Sequence, residues 1–405
     1  MKDLAKTAIA LSGGGAYGAY EVGVLKALVN GQSRAVNFVP LQPAILTGTS
    51  VGSFNAAALT MVPGSAIDGV ARLEHIWLHD IADGGDDRGN GIYRIRFNPE
   101  CYLKGSTLRN PLEPMRRAAA DAAYITGRSV TQVTEFLTSR GSVANRVLGL
   151  TDLSELISVE PFDELLKRTI DPERIRASSI HLCVVATNWQ SGEAKPFYNC
   201  DFTDAEGRNV LKASASFPGI FPATQVGGHT YVDGGVVMNT PISYALDAGA
   251  TELHLVYMNA ALRGVPLNKN EGTIDVLDRA FATMLAAAIN QDIAMAESIN
   301  AGLESLDAAA AGRKTDPSDS KKLLRVAARI TQRSHRDRPY RKITIHRHYP
   351  RRPIGGVLGL LNFSQEQIRH LIEQGYEDTR AHDCGRNQCV IPKKARRRPS
   401  EGARR

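Results

Sequence analysis

The sequence predicts an α/β fold: a central, mostly parallel sheet with helices on both faces. Three observations lead there. Short apolar runs alternate with helical stretches from the first residues onward, glycines stand at the strand-to-helix turns, and 43% of the 405 residues are hydrophobic. Repeated βα units of this kind bury a parallel sheet beneath helices, and a chain of this size can bury a large core.

The elements follow in order. Lys6 to Leu11 reads as a first strand, SGGG as its turn, and Tyr17 to Val29 as a helix with Val22, Leu25, Leu28 and Val29 on one face. Ala44 to Thr47 is a second strand, GTSVG the turn after it, and Val51 to Met61 a helix of small residues. Ile67 to His79, with Trp77, is an amphipathic helix. Residues 80–150 are less regular, with helical stretches such as Leu112 to Ala123 and a moderately apolar segment, Ser129 to Leu150, read mainly as packing. The pattern resumes with a helix over Pro161 to Ile170, a buried strand over Ile180 to Ala186 and its hairpin partner over Glu193 to Tyr198. Asn209 to Ala215 is helical, Thr230 to Val232 a strand running into Asp-Gly-Gly, and Glu252 to Met258 a further buried strand. Thr273 to Ala311 is helical, Arg341 to His348 alternates like an edge strand, and Ser364 to Thr379 is a last amphipathic helix. The economical division is a catalytic core over 5–260 with an insertion at 80–150, a helical and edge-strand extension over 261–382 packed on it, and a basic, disordered tail over 383–405.

Charge is distributed unevenly. The chain carries +7 overall, yet Arg313 to Arg405 alone hold 24 Lys and Arg against 9 Asp and Glu. Such a block is either a solvated surface or an attraction to an anionic membrane. No specific nucleic acid is expected, because no helix-turn-helix, zinc or aromatic-interleaved motif accompanies the charge. The run Thr7 to Leu11 is too short for the apolar part of a signal peptide. Five cysteines without finger-like spacing fit a reduced, cytoplasmic protein. Cys384 and Cys389 have no His partner at finger-like distance and no His/Cys/Asp cluster suggests a metal, while a disulfide between the two stays open.

Three motifs carry chemistry. In SGGGAYG, Gly13, Gly15 and Gly18 satisfy the dinucleotide fingerprint G-x-G-x-x-G, but that fingerprint needs an acid about twenty residues on. No Asp or Glu stands between Glu21 and Asp68, so the nucleotide reading fails. A transient anion, the oxyanion of a tetrahedral intermediate, suits the same backbone N–H groups. GTSVG places Ser50 between Gly48 and Gly52 at a strand-to-helix turn, as a nucleophile elbow requires, with the Val51 N–H as an oxyanion donor; alone it also fits a Gly/Ser turn. A serine needs a proton acceptor. His181 and His254 lie in apolar runs and His229 in a hairpin, whereas Asp233, with Gly234 and Gly235 behind it, ends a short strand.

Together, GGGAYG, GTSVG and DGG in this order resemble the patatin-like phospholipase family, particularly its bacterial members. The resemblance extends through GAYEVGVLKAL, SASFPGIFPA and VVMNTPISYALDAGA, residues 5 to about 260 with gaps. It implies a three-layer α/β sandwich and a Ser–Asp dyad in place of a triad. Ser50 would be the nucleophile and Asp233 its base, and the N–H groups of Gly13, Gly14, Gly15 and Val51 would form the oxyanion hole. The implied substrate is a phospholipid or another acyl ester, cleaved through an acyl-serine without a cofactor. Tyr17 stands where the family commonly has Arg or Lys. A lipid- or nucleotide-binding protein without turnover is the alternative on the same scaffold. The implied location is the cytoplasm, with residues 313–405 as a peripheral membrane contact.

Overall fold

A computed structural model of the chain describes residues 6–83, 90–95, 157–258, 283, 289–305, 341–352, 354–355 and 357–392. The Leu112 to Ala123 helix, the Ser129 to Leu150 segment and most of the Thr273 to Ala311 helix lie outside them.

Ten strands are described: β1 (Thr7–Leu11), β2 (Ile45–Thr49), β3 (Arg94–Ile95), β4 (Ile157–Ser158), β5 (His181–Asn188), β6 (Ala194–Tyr198), β7 (Thr224–Val226), β8 (His229–Asp233), β9 (Glu252–Val256) and β10 (Thr344–His348). Eight form one sheet in the order β10-β9-β1-β2-β5-β8-β7, with β6 also on β5; β3 and β4 make a separate pair. The strands from β10 through β5 are parallel, and β6 and β8 run antiparallel to β5.

The labelled helices are α1 (Gly18–Val29), α2 (Val51–Thr60), α3 (Ala66–Ile76), α4 (Glu160–Thr169), α5 (Pro172–Ala177), α6 (Gly207–Ser214), α7 (Ile242–Asp247) and α8 (Gln365–Arg380), and residues 289–305 are also helical. Strand alternation sends side chains to two cores, one on each face of the sheet. Ile9, Leu11, Leu46 and Val184 pack with α1, α2, α3 and α8. Ala8, Ala10, Ile45, Leu253 and Ile345 pack against Ile242 and Ala245 of α7 and Ile289, Ile293 and Ala296 of the helical residues 289–305. The result is the three-layer α/β sandwich that the sequence predicts.

The order of elements matches the reading from sequence, with boundaries moved by one to three residues. Two expectations are corrected. The one-faced α1 is buried on every side except at Lys26, because α8 lies along its outer surface. The two helices touch backbone to backbone: a Cβ on Gly23 would stand within van der Waals overlap of the Ile372 carbonyl, and one on Gly375 would strike the Tyr20 carbonyl. Residues 383–392, assigned from their charge to a disordered tail, are folded. Asn387 N–H donates to the Asp383 carbonyl at 2.8 Å, and Val390 exchanges backbone bonds with Ile345 at the outer edge of β10. The short α5, β7 and α7 are too brief for a period to register in the sequence. Among the described residues no helix is long and apolar enough to cross a membrane.

Candidate active site

In a parallel sheet the C-terminal strand ends and the N-termini of the following helices share one edge, and the candidate residues collect there. Thr49, the last residue of β2, pairs with Val185 of β5. Asp233, the last residue of β8, pairs with Ala186, the next residue along β5. One strand therefore acts as a common ruler, setting Asp233 beside the turn that begins with Ser50.

That turn is strained. Ser50 has φ 54° and ψ −127°, a region that L-residues avoid, at a cost of about 1–3 kcal/mol. Several contacts hold it. Its N–H donates to Ser214 Oγ at 2.9 Å, and Ser214 in turn donates to the Val185 carbonyl at 2.6 Å. Its carbonyl accepts from Ser53 at the start of α2. Glycine is required on both sides by close approach: a Cβ on Gly48 would strike the Gly52 carbonyl, and one on Gly52 would lie 2.6 Å from the Leu11 and Ser12 carbonyls. Gly18 likewise leaves no room for a side chain beside Val51 and Trp77, and neither does Gly234 beside Thr49 and Val185.

Asp233 is 2% exposed. Burial pushes its carboxyl up to about 6, while hydrogen bonds from the Ser50 side chain and the Gly235 N–H pull it back down. The Gly235 bond, to Oδ1, measures 2.7 Å. At neutral pH the carboxyl is ionised and basic enough to accept a proton from a neighbouring hydroxyl. The three histidines weighed from sequence lie elsewhere. His181 pairs with Ile45 at the opposite end of β2, about 16 Å along the strands from the turn. His254 is fully buried in the middle of the sheet, opposite Ile9. His229 lies four residues from Asp233, about 13 Å along β8, and is exposed.

The glycine loop between β1 and α1 lies against the same turn. A Cβ on Gly13 would sit 3.0 Å from Ser50 Cβ. One expectation needs revision here: the Gly13 N–H already donates to Asn239 Oδ1 at 3.1 Å and approaches the Asn239 carbonyl at 3.3 Å. The N–H groups of Gly14, Gly15 and Val51 carry no hydrogen bond to another described residue, so they remain as donors for an anion. Gly15 has φ 53° and lies against the Leu360 carbonyl, where a Cβ has no space.

Sequence reasoning missed the residues that brace this loop. Asn239 is 6% exposed and fills the gap between Gly13 and Gly235. It follows Asp-Gly-Gly closely, in the run VVMNTP, but no local pattern marks its target. Thr49 Oγ1 donates to the Met238 carbonyl and Thr47 Oγ1 to that of Pro241, fastening this segment to β2. Behind the loop, Asn55 links Gly18, the buried Glu21 and Trp77. Burial raises the Glu21 carboxyl well above its usual range, against the bond from Asn55 that lowers it. Tyr17 is buried, its hydroxyl set against Gly355 and Gly359, so the position offers packing and no charge.

The expectation that Cys384 and Cys389 lack a histidine partner is also corrected: His346 and His382 converge on them, at the far side of the sheet edge formed by β10.

The sequence profile of the family described as Patatin-like phospholipase matches residues 9–246. Among solved structures, the chain is similar to VipD from Legionella pneumophila, with 16% identity and a TM-score of 0.38 over 93% of this chain and 66% of that one. The chain thus spans just under two thirds of that protein's length. No curated protein gives a significant match.

Proposed function

The chain belongs to the patatin-like phospholipase family, a family of lipid acyl hydrolases, and on that footing we propose that it cleaves acyl esters with a Ser50–Asp233 dyad. Asp233 takes the Ser50 proton as the hydroxyl attacks the ester carbonyl, then gives it to the leaving oxygen, so that the ester C–O bond breaks and the alcohol or lysolipid departs. Water then hydrolyses the acyl-serine by the reverse proton path. The developing oxyanion is held by the N–H groups of Gly14, Gly15 and Val51, at the start of α2, whose dipole favours negative charge there. Gly13 acts through Asn239 in this reading: it holds the loop, and its N–H is spent on that bond.

The observation that carries the proposal is the register on β5, which sets the buried carboxyl of Asp233 beside the Ser50 turn, with that carboxyl pushed up by burial to about 6. The strained φ of Ser50 agrees with it, since strain of this kind persists where it positions a reacting group. The substrate proposed is a phospholipid or a related acyl ester. Val236 and Val237, directly after the Asp-Gly-Gly turn, are 38% and 44% exposed and offer an apolar approach. With Tyr17 buried, headgroup charge is not read at that position. We further read the protein as cytoplasmic, with the basic residues 313–405 making a peripheral contact with an anionic membrane.

The test is turnover of a chromogenic medium-chain ester and of a labelled phospholipid by the full chain beside Ser50→Ala. The wild type turns over and is labelled at Ser50 by a fluorophosphonate; the variant does neither while keeping its circular dichroism. Undiminished turnover in Ser50→Ala defeats the proposal.

A further inference from the structure

Away from the Ser50 edge, β10 and the residues just after α8 bring four ligand atoms together. His346 Nδ1 lies 3.6 Å from Cys384 Sγ, and His382 Nε2 lies 3.6 Å from Cys384 Sγ and 3.4 Å from Cys389 Sγ. All four atoms fall within 4.8 Å of one another. A tetrahedral zinc ion with Zn–N of about 2.05 Å and Zn–S of about 2.3 Å sets its nitrogen and sulfur ligands about 3.6 Å apart. The three separations match that value.

We propose that His346 Nδ1, His382 Nε2, Cys384 Sγ and Cys389 Sγ bind one zinc ion in a closed, structural site. Two thiolates and two imidazoles are the donor set that zinc takes in tetrahedral geometry, and four protein ligands leave no position for a substrate. The surroundings suit a coordinated ion. The opposite ring nitrogen of His346, Nε2, faces Glu252 Oε1 at 3.6 Å, which orients the ring with Nδ1 towards the sulfurs. Cys389 Sγ accepts the Arg347 N–H at 3.4 Å, which fixes the sulfur beside β10. The loop carrying both cysteines is pre-shaped: Cys389 N–H donates to the Cys384 carbonyl at 2.9 Å, Arg386 N–H to Asp383 Oδ1 at 2.9 Å, and Asn387 Nδ2 to the Arg347 carbonyl at 2.9 Å. His346 and His382 are buried.

The site ties the segment after α8 to the last strand of the sheet, one residue from the Ile345–Val390 bridge. Since α8 lies along α1, and the turn Val357–Leu361 lies against Gly15, zinc would fasten the chain end that backs the glycine loop. This role is independent of the Ser50 chemistry.

The test uses the full wild-type chain, purified under reduction without chelator, with zinc measured by mass spectrometry. One equivalent is expected, retained on gel filtration and in Cys200→Ser, and lost to background in Cys384→Ser and Cys389→Ser. Cobalt(II) titrated into the demetallated wild type should give the intense visible bands of a tetrahedral centre and a thiolate charge-transfer band, both erased by added zinc. That titration stands whether or not the cysteine variants fold. Background zinc together with no tetrahedral cobalt spectrum in the reduced wild type overturns the proposal. So does zinc retained undiminished in both variants, or Cys384 and Cys389 recovered as a disulfide whose reduction yields no cobalt site.

Discussion

Replacing Asp233 with Asn separates the chemistry of the site from what that chemistry costs the fold. In Asp233→Asn the side chain keeps its size, and Oδ1 still accepts the Gly235 N–H, bonded at 2.7 Å in the native chain. The negative charge goes, and the second oxygen, an acceptor, becomes an amide donor. Burial holds the carboxyl at about 6 against an ordinary 3.8, and at about 1.4 kcal/mol per tenfold change in proton affinity the gap is worth about 3 kcal/mol. Below about pH 4 the folded and unfolded chains both hold the proton, and the carboxyl costs nothing. Between about pH 4 and pH 6 the unfolded chain releases it first, so native stability falls as pH rises; above about pH 6 the whole cost is present. Asp233→Asn should therefore match wild type in stability near pH 4 and exceed it by about 3 kcal/mol near pH 8. Urea unfolding at the two pH values, with ester turnover on the same samples, measures both halves. Turnover should fall by about 10²–10⁴, and wild-type kcat/KM should rise with pH through an apparent pKa near 6. Equal stability of the two proteins near pH 8 would refute the buried-charge account, and undiminished turnover would refute the role as base.

Two further outcomes are expected. Ser50→Gly places at φ 54° the residue that tolerates it, so the chain should gain about 1 kcal/mol in thermal or urea unfolding while turnover disappears; a loss of stability would remove strain from the account of the turn. Asn239→Ala deletes the Oδ1 acceptor at 3.1 Å from the Gly13 N–H, and steady-state kinetics should give a kcat lowered about tenfold with little change in KM. An unchanged kcat would mean the loop is held without it.

How much could be read in advance depended on range. The strand–turn–helix segments at SGGGAYG and GTSVG are local, so the alternation of apolar runs with glycines disclosed both turns, and Asp-Gly-Gly disclosed the end of β8. The sequence by itself determined the α/β class, the candidate nucleophile and the candidate base, because each rests on neighbours within a few residues. It could not determine adjacency. Ser50 meets Asp233 because Thr49 and Asp233 pair with consecutive residues of β5, and strand order is a property of the sheet. The same holds for Gly13, whose N–H is taken by Asn239 from the far end of the core, and for α1, whose outer face is covered by α8. His346 stands 36 residues before His382; only the packing of β10 against the residues after α8 brings it to Cys384 and Cys389. The raised carboxyl of Asp233 belongs to this second class too, since desolvation is a property of what surrounds a group in space. Local pattern fixes which chemistry a residue can do, and tertiary structure decides which partner it meets and how far from water.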